Sequence, residues 1–213
     1  MKKDARLILA MDVSSREQAL SLAHMLEGCY DAIKIGYPLI LSAGIGIIKE
    51  ISVNASVIAD LKIADIPNTN RLICEAVLEK GASGVIAHAF PGGDSLKACA
   101  DCVKDYGADL FVVTEMSHPG AEQFLGPAAR NLAQLAVLVD AAGVVAPATR
   151  PERIKLVRSV IGDRIIISPG VGAQGGSALS AILAGADYLI VGRSIIQADN
   201  PREKAESIIS EIS

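Results

Sequence analysis

The sequence predicts an α/β protein that folds as one (β/α)8 TIM barrel over residues 1–213. Short apolar runs alternate with longer segments of helical periodicity, which is the pattern of repeated strand–helix units. Eight apolar runs can be counted. Eight alternating units favour a closed parallel barrel, with an open doubly wound sheet as the alternative. No linker, low-complexity tract or charge block interrupts the chain, so a single domain is expected.

The predicted strands begin roughly every twenty to twenty-five residues along most of the chain, as short strand–helix units require. They cover residues 7–12, 32–35, 57–62, 84–88, 110–116, 143–147, 165–168 and 188–191. The first helix is predicted to begin at a capping box formed by Ser14 and Glu17, and the last at Asn200-Pro201. The longest connection, residues 117–127, is interpreted as a loop that closes over a ligand, with an ordinary surface loop as the alternative.

Composition narrows the class of protein. Apolar residues make up 51% of the chain, but it has only three Phe, four Tyr and no Trp. Its core must therefore be mostly aliphatic, which suits parallel strands buried on both faces. The net charge of −4 argues against a nucleic-acid partner, which usually requires a basic surface. No apolar run is long enough to span a bilayer and the N-terminus lacks a signal-peptide layout, so we expect no membrane partner and a cytoplasmic location.

Charged side chains stand where the predicted strands end, which is where barrels of this class build their active sites. Asp60 and Lys62 lie two residues apart on the third strand and should project together into the barrel mouth. Lys34, at the end of the second strand, is predicted to reach Asp60. Buried charges are costly unless they are paired, and aliphatic residues would fill the same space without that cost. We therefore favour a catalytic cluster over a purely structural ion-pair network.

A lysine held among carboxylates keeps its proton, because opposite charges favour its charged form. Lys62 is therefore predicted to be a proton donor rather than a Schiff-base nucleophile, which requires the neutral amine. Other polar residues at predicted strand ends are Asp12, His88, Ser117 and Arg193.

A phosphate site is predicted after the seventh and eighth strands. Residues 168–176 form a glycine-rich loop, and residues 191–194 end the eighth strand. Glycines let backbone N–H groups approach an anion, and loops at these two positions are the usual phosphate site of such barrels. Arg193 adds a permanently charged, bidentate donor. A glycine-rich turn without a ligand is the alternative.

The remaining candidates have simpler interpretations. The pair Cys99 and Cys102 lies in a helical pattern without a second cysteine pair, so reduced thiols on a helix are expected. His88 is interpreted as a hydrogen-bonded core histidine, His118 as part of a turn and His24 as a surface residue. No dinucleotide fingerprint, HExxH, GxSxG or P-loop is present.

The segment from Asp60 to Thr69 reads DLKIADIPNT. It resembles the DxKxxDIPxT signature of the orotidine 5′-monophosphate decarboxylase family, and the resemblance extends over the whole chain. It implies decarboxylation of orotidine 5′-monophosphate to UMP, the last step of de novo pyrimidine nucleotide synthesis, without a metal or other cofactor. It also implies a homodimer in which Asp65, Ile66 and Thr69 serve the site of the neighbouring subunit.

The same resemblance implies a role for each matching residue. Lys34, Asp60, Lys62 and Asp65 would form a charge tetrad in which Lys62 protonates C6. The ribose hydroxyls would be held by Asp12 and Lys34 with Thr69 of the other subunit, and the pyrimidine edge would be read by Ser117. The substrate-binding set is completed by the residues of the phosphate loops, Pro169, Gly170, Gln174, Gly192 and Arg193.

Two alternatives share this pattern. Hexulose-phosphate synthase and keto-gulonate-phosphate decarboxylase resemble this chain in barrel and DxKxxD core, but use Mg²⁺ held partly by a glutamate at the end of strand two. This sequence has Lys34 there, and a cation would repel the metal. The other alternative is a nucleotide-binding barrel that no longer catalyses, against which the intact Asp60 and Lys62 argue.

Overall fold

The protein is described by a computed structural model of residues 3–212. Eight parallel strands form a closed barrel in which each strand pairs with the next and β8 pairs with β1. The prediction of a (β/α)8 barrel is confirmed. The strands are β1 Leu7–Ala10, β2 Ala32–Gly36, β3 Val57–Ile63, β4 Gly84–His88, β5 Asp109–Val113, β6 Gly143–Val145, β7 Ile165–Pro169 and β8 Tyr188–Val191.

Helices follow the strands on the outside of the barrel. They are α1 Arg16–Met25, α2 Tyr37–Ala43, α3 Ile47–Ser52, α4 Pro67–Leu78, α5 Gly93–Asp105, α6 Ala121–Leu138, α7 Pro151–Ile161, α8 Ala178–Leu183, α9 Arg193–Ile196 and α10 Pro201–Ile212. Within residues 3–212, no helix combines the length and the apolar character needed to cross a membrane.

The barrel has an inner and an outer layer of core. Inside, alternate strand residues such as Ile8, Ile58 and Ile167 pack together, and only Phe111 and Tyr188 bring aromatic rings into this inner cluster. The outward-facing strand residues pack against the helices in a larger cluster. The expected aliphatic core is therefore confirmed, and it leaves the strand ends to carry the polar groups.

The beginning of α1 differs from the prediction. Ser15, not Ser14, is the N-cap: its backbone is extended, and its hydroxyl accepts a hydrogen bond from the Gln18 N–H at 3.3 Å. The Ser15 hydroxyl also donates to the carboxylate of Glu17 at 2.9 Å. Adjacent serines have the same capping chemistry, so the point at which the chain turns into the helix decides between them. At the last helix, the predicted cap is confirmed, since the Asn200 side chain accepts from the Glu203 N–H.

The predicted long loop after β5 is wrong. Only residues 114–120 connect β5 to α6, and the helix begins at Ala121 with Pro127 inside it. Ala121, Ala129 and Leu132 lie on its buried face. The free energy gained by burying that face outweighs the local preference of Gly126-Pro127 for a turn.

Two half-buried carboxylates bind the backbone at the N-terminal end of the barrel. Asp31, just before β2, accepts hydrogen bonds from three successive backbone N–H groups, those of Asp4, Ala5 and Arg6, at 3.0, 3.2 and 2.7 Å. Asp187, just before β8, accepts from the Ile166 N–H at 2.9 Å and from the guanidinium of Arg158 at 2.5 Å. These contacts fix the entry of the chain into the strands.

The cysteines are free thiols and all four are buried. Cys99 and Cys102 lie on α5, as the helical pattern predicted, and Cys74 lies on the neighbouring helix α4.

Candidate active site

An open cavity of about 260 Å³ lies at the C-terminal end of the barrel strands, the end at which barrels of this class place their active sites. Ten of the residues singled out from the sequence line it: Asp12, Lys34, Asp60, Lys62, Ser117, Pro169, Gly170, Gln174, Gly192 and Arg193. The structure therefore brings the predicted charge cluster and the predicted phosphate loops together around one cavity.

Three charged side chains form a continuous chain at one side of this cavity. The Asp60 carboxylate lies between two ammonium groups, with its Oδ2 3.0 Å from Lys34 Nζ and its Oδ1 2.7 Å from Lys62 Nζ. Lys34 Nζ also lies 3.4 Å from Asp12 Oδ1. The Lys34 and Asp60 side chains are 9% and 7% exposed, whereas that of Lys62 is 31% exposed. Of the two lysines, Lys62 is therefore the one whose side chain is more exposed to the cavity.

Burial and pairing act against each other on these groups. Burial alone would raise the pKa of Asp60, but Lys34 and Lys62 hold it below its ordinary value. Burial alone would lower the pKa of Lys34, but Asp60 and Asp12 hold it above its ordinary value. Both groups therefore stay charged at neutral pH, because each stabilises the charged form of the other.

The strand that carries Asp60 and Lys62 is irregular at this point. Ala59 is paired with Val85 but Ile63 with Ala87, so β3 advances by four residues while β4 advances by two. Lys62 has a φ of +46°, a left-handed conformation that side chains other than Asn, Asp and Gly seldom adopt. The predicted meeting of Asp60 and Lys62 is confirmed, but a bulge produces it rather than the simple alternation of a regular strand.

A tyrosine supports the bulge from outside. The hydroxyl of Tyr37, at the start of α2, donates to the Leu61 carbonyl at 2.6 Å. The strained backbone at Lys62 is therefore held by a hydrogen bond on the residue before it.

The phosphate loops are held close together by small residues. Gly170 and Gly172 have φ values of +104° and +71°. A Cβ on Gly172 would lie 2.4 Å from the Ser194 hydroxyl oxygen, so only glycine fits there. The same hydroxyl accepts from the Ala173 N–H at 3.0 Å. This contact ties the loop after β7 to the start of α9, where Arg193 lines the cavity.

Ser117 is held by residues that the sequence did not single out. Thr149 donates to the Ser117 carbonyl at 3.1 Å, and Arg150 donates to the Met116 carbonyl at 2.5 Å. Arg150 is fixed in turn by Glu115, a fully buried carboxylate 2.8 Å from its Nε. A glutamate two residues after the end of an apolar strand is the signal that could have revealed this support, because a carboxylate is rarely buried without a partner.

Apolar side chains form the remaining wall of the cavity. They come from inward-facing strand positions and belong to the inner core cluster: Ile86, Val113, Val145 and Ile190. Their apolar surface suits a planar ring that lies next to the ion pairs of Lys34, Asp60 and Lys62. Sequence alone does not distinguish them from other interior residues, because a strand residue at the cavity and one below it share the same alternation.

Asp65, Ile66 and Thr69 do not line this cavity. Asp65 and Ile66 lie before α4, on the outer surface, and the Ile66 side chain is 65% exposed. Within one chain, the structure brings Lys34, Asp60 and Lys62 together and leaves Asp65 outside them.

His88 was expected to be a hydrogen-bonded core histidine; it is buried, but one of its two ring nitrogens has no hydrogen-bond partner in the part of the chain that the structure describes. It is 8% exposed, and its Nδ1 atom has no partner among residues 3–212. Burial and the nearby charge of Lys62, opposed by Asp60, together lower its pKa to about 4. The ring packs on Phe90 with centroids 4.9 Å apart, so at neutral pH it is an uncharged histidine at the rim of the site.

Known proteins resemble this chain over its full length. Residues 5–208 match the model of the orotidine 5′-phosphate decarboxylase / HUMPS family. A Methanosarcina mazei protein named orotidine 5′-phosphate decarboxylase is 57% identical over 213 residues, which are 100% of this chain and 97% of that protein. A Methanococcoides burtonii protein of the same name is 55% identical over 213 residues, covering 100% of this chain and 99% of that protein.

A solved structure gives the same result. Orotidine 5′-monophosphate decarboxylase from Methanocaldococcus jannaschii, complexed with the inhibitor BMP, superposes with a TM-score of 0.93 at 44% identity, over 97% of this chain and 98% of that chain. The chain therefore belongs to the orotidine 5′-phosphate decarboxylase / HUMPS family.

Proposed function

We propose that this protein is a carboxy-lyase that converts orotidine 5′-monophosphate to UMP in pyrimidine nucleotide synthesis, without a metal or other cofactor. The observation that carries the proposal is the chain of Lys34, Asp60 and Lys62 at the wall of the cavity, with Lys62 Nζ 2.7 Å from Asp60. The relatives named for this activity and the solved structure with an inhibitor support the same substrate class. A cytoplasmic location stays a prediction.

The proposed chemistry needs a fixed positive charge and a proton. When the bond from C6 to the carboxylate breaks, its electron pair stays on C6 and carbon dioxide leaves. An ammonium group fixed beside C6 stabilises that localised charge without having to reorganise. The Lys62 ammonium then gives its proton to C6, forming the C–H bond of UMP, and regains a proton from water. Asp60 keeps both ammonium groups oriented during these steps.

The other cavity residues are proposed to bind the rest of the nucleotide. Lys34 Nζ and Asp12 Oδ1 lie 3.4 Å apart at the cavity wall, and both are proposed to form hydrogen bonds with the ribose hydroxyls. Ser117 is proposed to bind the pyrimidine edge. The phosphate would be bound by the loops after β7 and β8, through Pro169, Gly170, Gln174, Gly192 and Arg193. Binding energy from a remote phosphate can be used to order the site around the reacting ring.

A second copy of the chain is proposed to complete the site. Asp65 lies outside its own cavity and directly precedes Ile66, which is 65% exposed; Leu72 on α4 and Phe90 after β4 are 58% and 59% exposed. Exposed apolar groups that form a contiguous patch mark protein interfaces, and we propose that these three residues belong to one. In the proposed homodimer, Asp65, Ile66 and Thr69 of each subunit reach the cavity of the other, and Asp65 completes the tetrad with Lys34, Asp60 and Lys62.

The proposed activity is tested by following the absorbance of orotidine 5′-monophosphate in the presence of excess EDTA. We expect turnover that survives chelation, and the Lys62→Ala variant is the matched control for contaminating activity. Activity that appears only with Mg²⁺ and a sugar phosphate would support the metal-dependent members of the family instead. Tight UMP binding without turnover would indicate a binding protein.

The proposed sharing of Asp65 is tested by mixing inactive subunits. A dimer of one Asp65→Ala and one Lys62→Ala subunit contains one site with both residues intact. Mixing the two variants should therefore restore turnover, while each variant alone stays inactive. Absence of recovery, with subunit exchange verified by mass spectrometry of the mixed dimer, would contradict the shared site.

A further inference from the structure

A buried polar network holds the backbone of Asp65 at both of its hydrogen-bonding groups. The Asp65 N–H donates to Asn70 Oδ1 at 2.9 Å, and the Asp65 carbonyl accepts from the Ser95 hydroxyl at 2.7 Å. Asn70 Nδ2 donates to the Ser95 hydroxyl oxygen at 2.7 Å and to the Ser95 carbonyl at 3.1 Å. We propose that Asn70 and Ser95 are positioning residues that fix Asp65 for its part in the reaction.

The network is complete in its donors and acceptors. The Asn70 amide uses both of its N–H groups and its oxygen, and the Ser95 hydroxyl accepts from one residue and donates to another. Asn70 and Ser95 are 1% and 3% exposed. A buried polar group costs free energy unless it is fully hydrogen-bonded, and a complete network specifies a single arrangement. Asp65 is therefore held in one backbone position.

The location of these residues favours positioning over ordinary helix stability. Asn70 is the fourth residue of α4. Asn has a lower intrinsic helix propensity than Ala or Leu, so helix stability alone does not favour it there. The N-cap of this helix, Ile66, provides no side-chain hydrogen bond. Asn70 instead reaches back past the cap to Asp65, and Ser95 reaches across from the first turn of α5. Two helices thus converge on one residue of the preceding loop.

The consequence for the reaction rests on the proposed function, in which the Asp65 carboxylate acts in the cavity of the neighbouring subunit. Asp65 Oδ1 already accepts from the Ile66 N–H at 2.7 Å, so the carboxylate is oriented relative to its own backbone. Fixing that backbone then fixes the carboxylate. A displacement of a reacting group by about 1 Å can cost roughly 100-fold in rate.

A double-mutant cycle tests this role. Asn70→Ala should lower kcat about 10- to 100-fold with little change in KM, while adding Asn70→Ala to Asp65→Ala should lower kcat no further. A full additional loss in the Asp65→Ala background would overturn the proposal, because Asn70 would then act independently of Asp65. Equal kcat for Asn70→Ala and the wild type would overturn it as well.

Matched variants separate positioning from folding. Cys74→Ala removes a fully buried side chain one turn further along α4 and should reduce the free energy of unfolding without lowering kcat. Ser95→Ala should lower kcat, and Ser95→Thr, which keeps the hydroxyl, should restore much of it. This pair carries the test if Asn70→Ala does not fold. Equal kcat for Ser95→Ala and Cys74→Ala would contradict the proposal.

Mixed dimers distinguish the failure of this inference from failure of the proposed function. In a dimer of Asn70→Ala with Lys62→Ala, the intact Lys62 faces an Asp65 that is held by an intact Asn70. Its activity should equal that of a wild-type and Lys62→Ala mixed dimer. If it stays low while the Asp65→Ala and Lys62→Ala mixture recovers, the positioning role fails and the shared site stands. If Asp65→Ala alone is fully active, both fail.

Discussion

Charged groups gather at both ends of the barrel, but they have different partners. At the N-terminal end, Asp31 and Asp187 accept hydrogen bonds from backbone N–H groups at the starts of strands. At the C-terminal end, Lys34, Asp60 and Lys62 are paired with one another and with Asp12, and they line a cavity of about 260 Å³. The first set satisfies the backbone of the fold. The second set leaves its remaining hydrogen-bonding capacity to a ligand.

A shifted pKa does not separate these two roles. Burial would raise the pKa of Asp187, but hydrogen bonds from Lys3, the Ile166 N–H and Arg158 lower it below its ordinary value. The pKa of Asp60 is also lowered, by its two lysines against the effect of burial. Structural ion pairs and active-site pairs therefore produce the same direction of shift. The kind of partner and the open space beside it distinguish the two ends.

The largest predicted effect is on activity at the C-terminal end. Asp60→Asn leaves the Lys34 and Lys62 ammonium groups close together without the carboxylate between them, so Lys62 loses the ion pair that orients it. We expect kcat for orotidine 5′-monophosphate to fall about 1000-fold, the upper end of the loss when one preorganised polar group is removed from an active site. Steady-state kinetics on protein shown to be folded by circular dichroism measures this. Activity within tenfold of the wild type would contradict the assignment.

The next effect is on stability at the N-terminal end. Asp187→Ala leaves the Arg158 guanidinium and the Ile166 N–H without their carboxylate, and should reduce the free energy of unfolding by about 3 kcal/mol. Its kcat should stay within about twofold of the wild type, because the change lies at the opposite end of the barrel. Urea denaturation and steady-state kinetics give the two values.

A matched control for that prediction is Asp101→Ala. Asp101 forms an exposed ion pair with Lys97 on α5, with side chains 55% and 63% exposed. Such a pair contributes less than about 1 kcal/mol, so the variant should unfold at nearly the wild-type urea concentration. A loss for Asp187→Ala no larger than that for Asp101→Ala would remove the distinction between a backbone-bound carboxylate and a surface one.

The smallest predicted effect is on the pH dependence of stability, which should differ between His88 at the C-terminal end and Asp187 at the N-terminal end. The pKa of His88 is lowered to about 4 in the folded protein by burial and by Lys62, against the opposing effect of Asp60. The unfolded chain, with a histidine pKa of about 6.5, binds more protons between these values, so stability should fall as the pH falls through this window. The loss between pH 6.5 and 4.5 should be about 2 kcal/mol from this group. His88→Asn should show a flatter dependence.

Asp187 titrates in a different window. Because its folded pKa lies below the ordinary value of 3.8, its contribution is present above that pH and is lost only as the pH falls further. Urea denaturation of Asp187→Ala and His88→Asn at several pH values therefore distinguishes them. An unchanged slope between pH 6.5 and 4.5 in His88→Asn would contradict the role of His88.

The barrel and the ion-paired cluster of Lys34, Asp60 and Lys62 could be predicted from the sequence, because both leave a clear local pattern. Parallel strands buried on both faces consist of consecutive aliphatic residues. A charged residue at the end of such a run is therefore easy to recognise in the sequence. Two of the strands, Gly84–His88 and Tyr188–Val191, have the predicted bounds. The start of α6 was missed because Gly126-Pro127 favours a turn locally, and only the burial of its apolar face makes the segment helical.

Other features depend on three-dimensional packing that no local pattern contains. The bulge at Lys62 could not be predicted, because the inference from side-chain alternation applies to a regular strand. Asn70 and Ser95 stand in helical patterns where a polar residue usually faces solvent, yet both are buried. A buried histidine is usually hydrogen-bonded, so no local pattern predicts that His88 Nδ1 has no partner within residues 3–212.

The most direct test of the central claim is the turnover of bound orotidine 5′-monophosphate by the Lys62→Ala variant. Single-turnover experiments with the enzyme in excess separate binding from the chemical step, and the product is quantified as UMP. We predict that Lys62→Ala binds the nucleotide and unfolds at a urea concentration no lower than the wild type, yet forms no detectable UMP. UMP formation at a rate near that of the wild type would show that the proton at C6 does not come from Lys62.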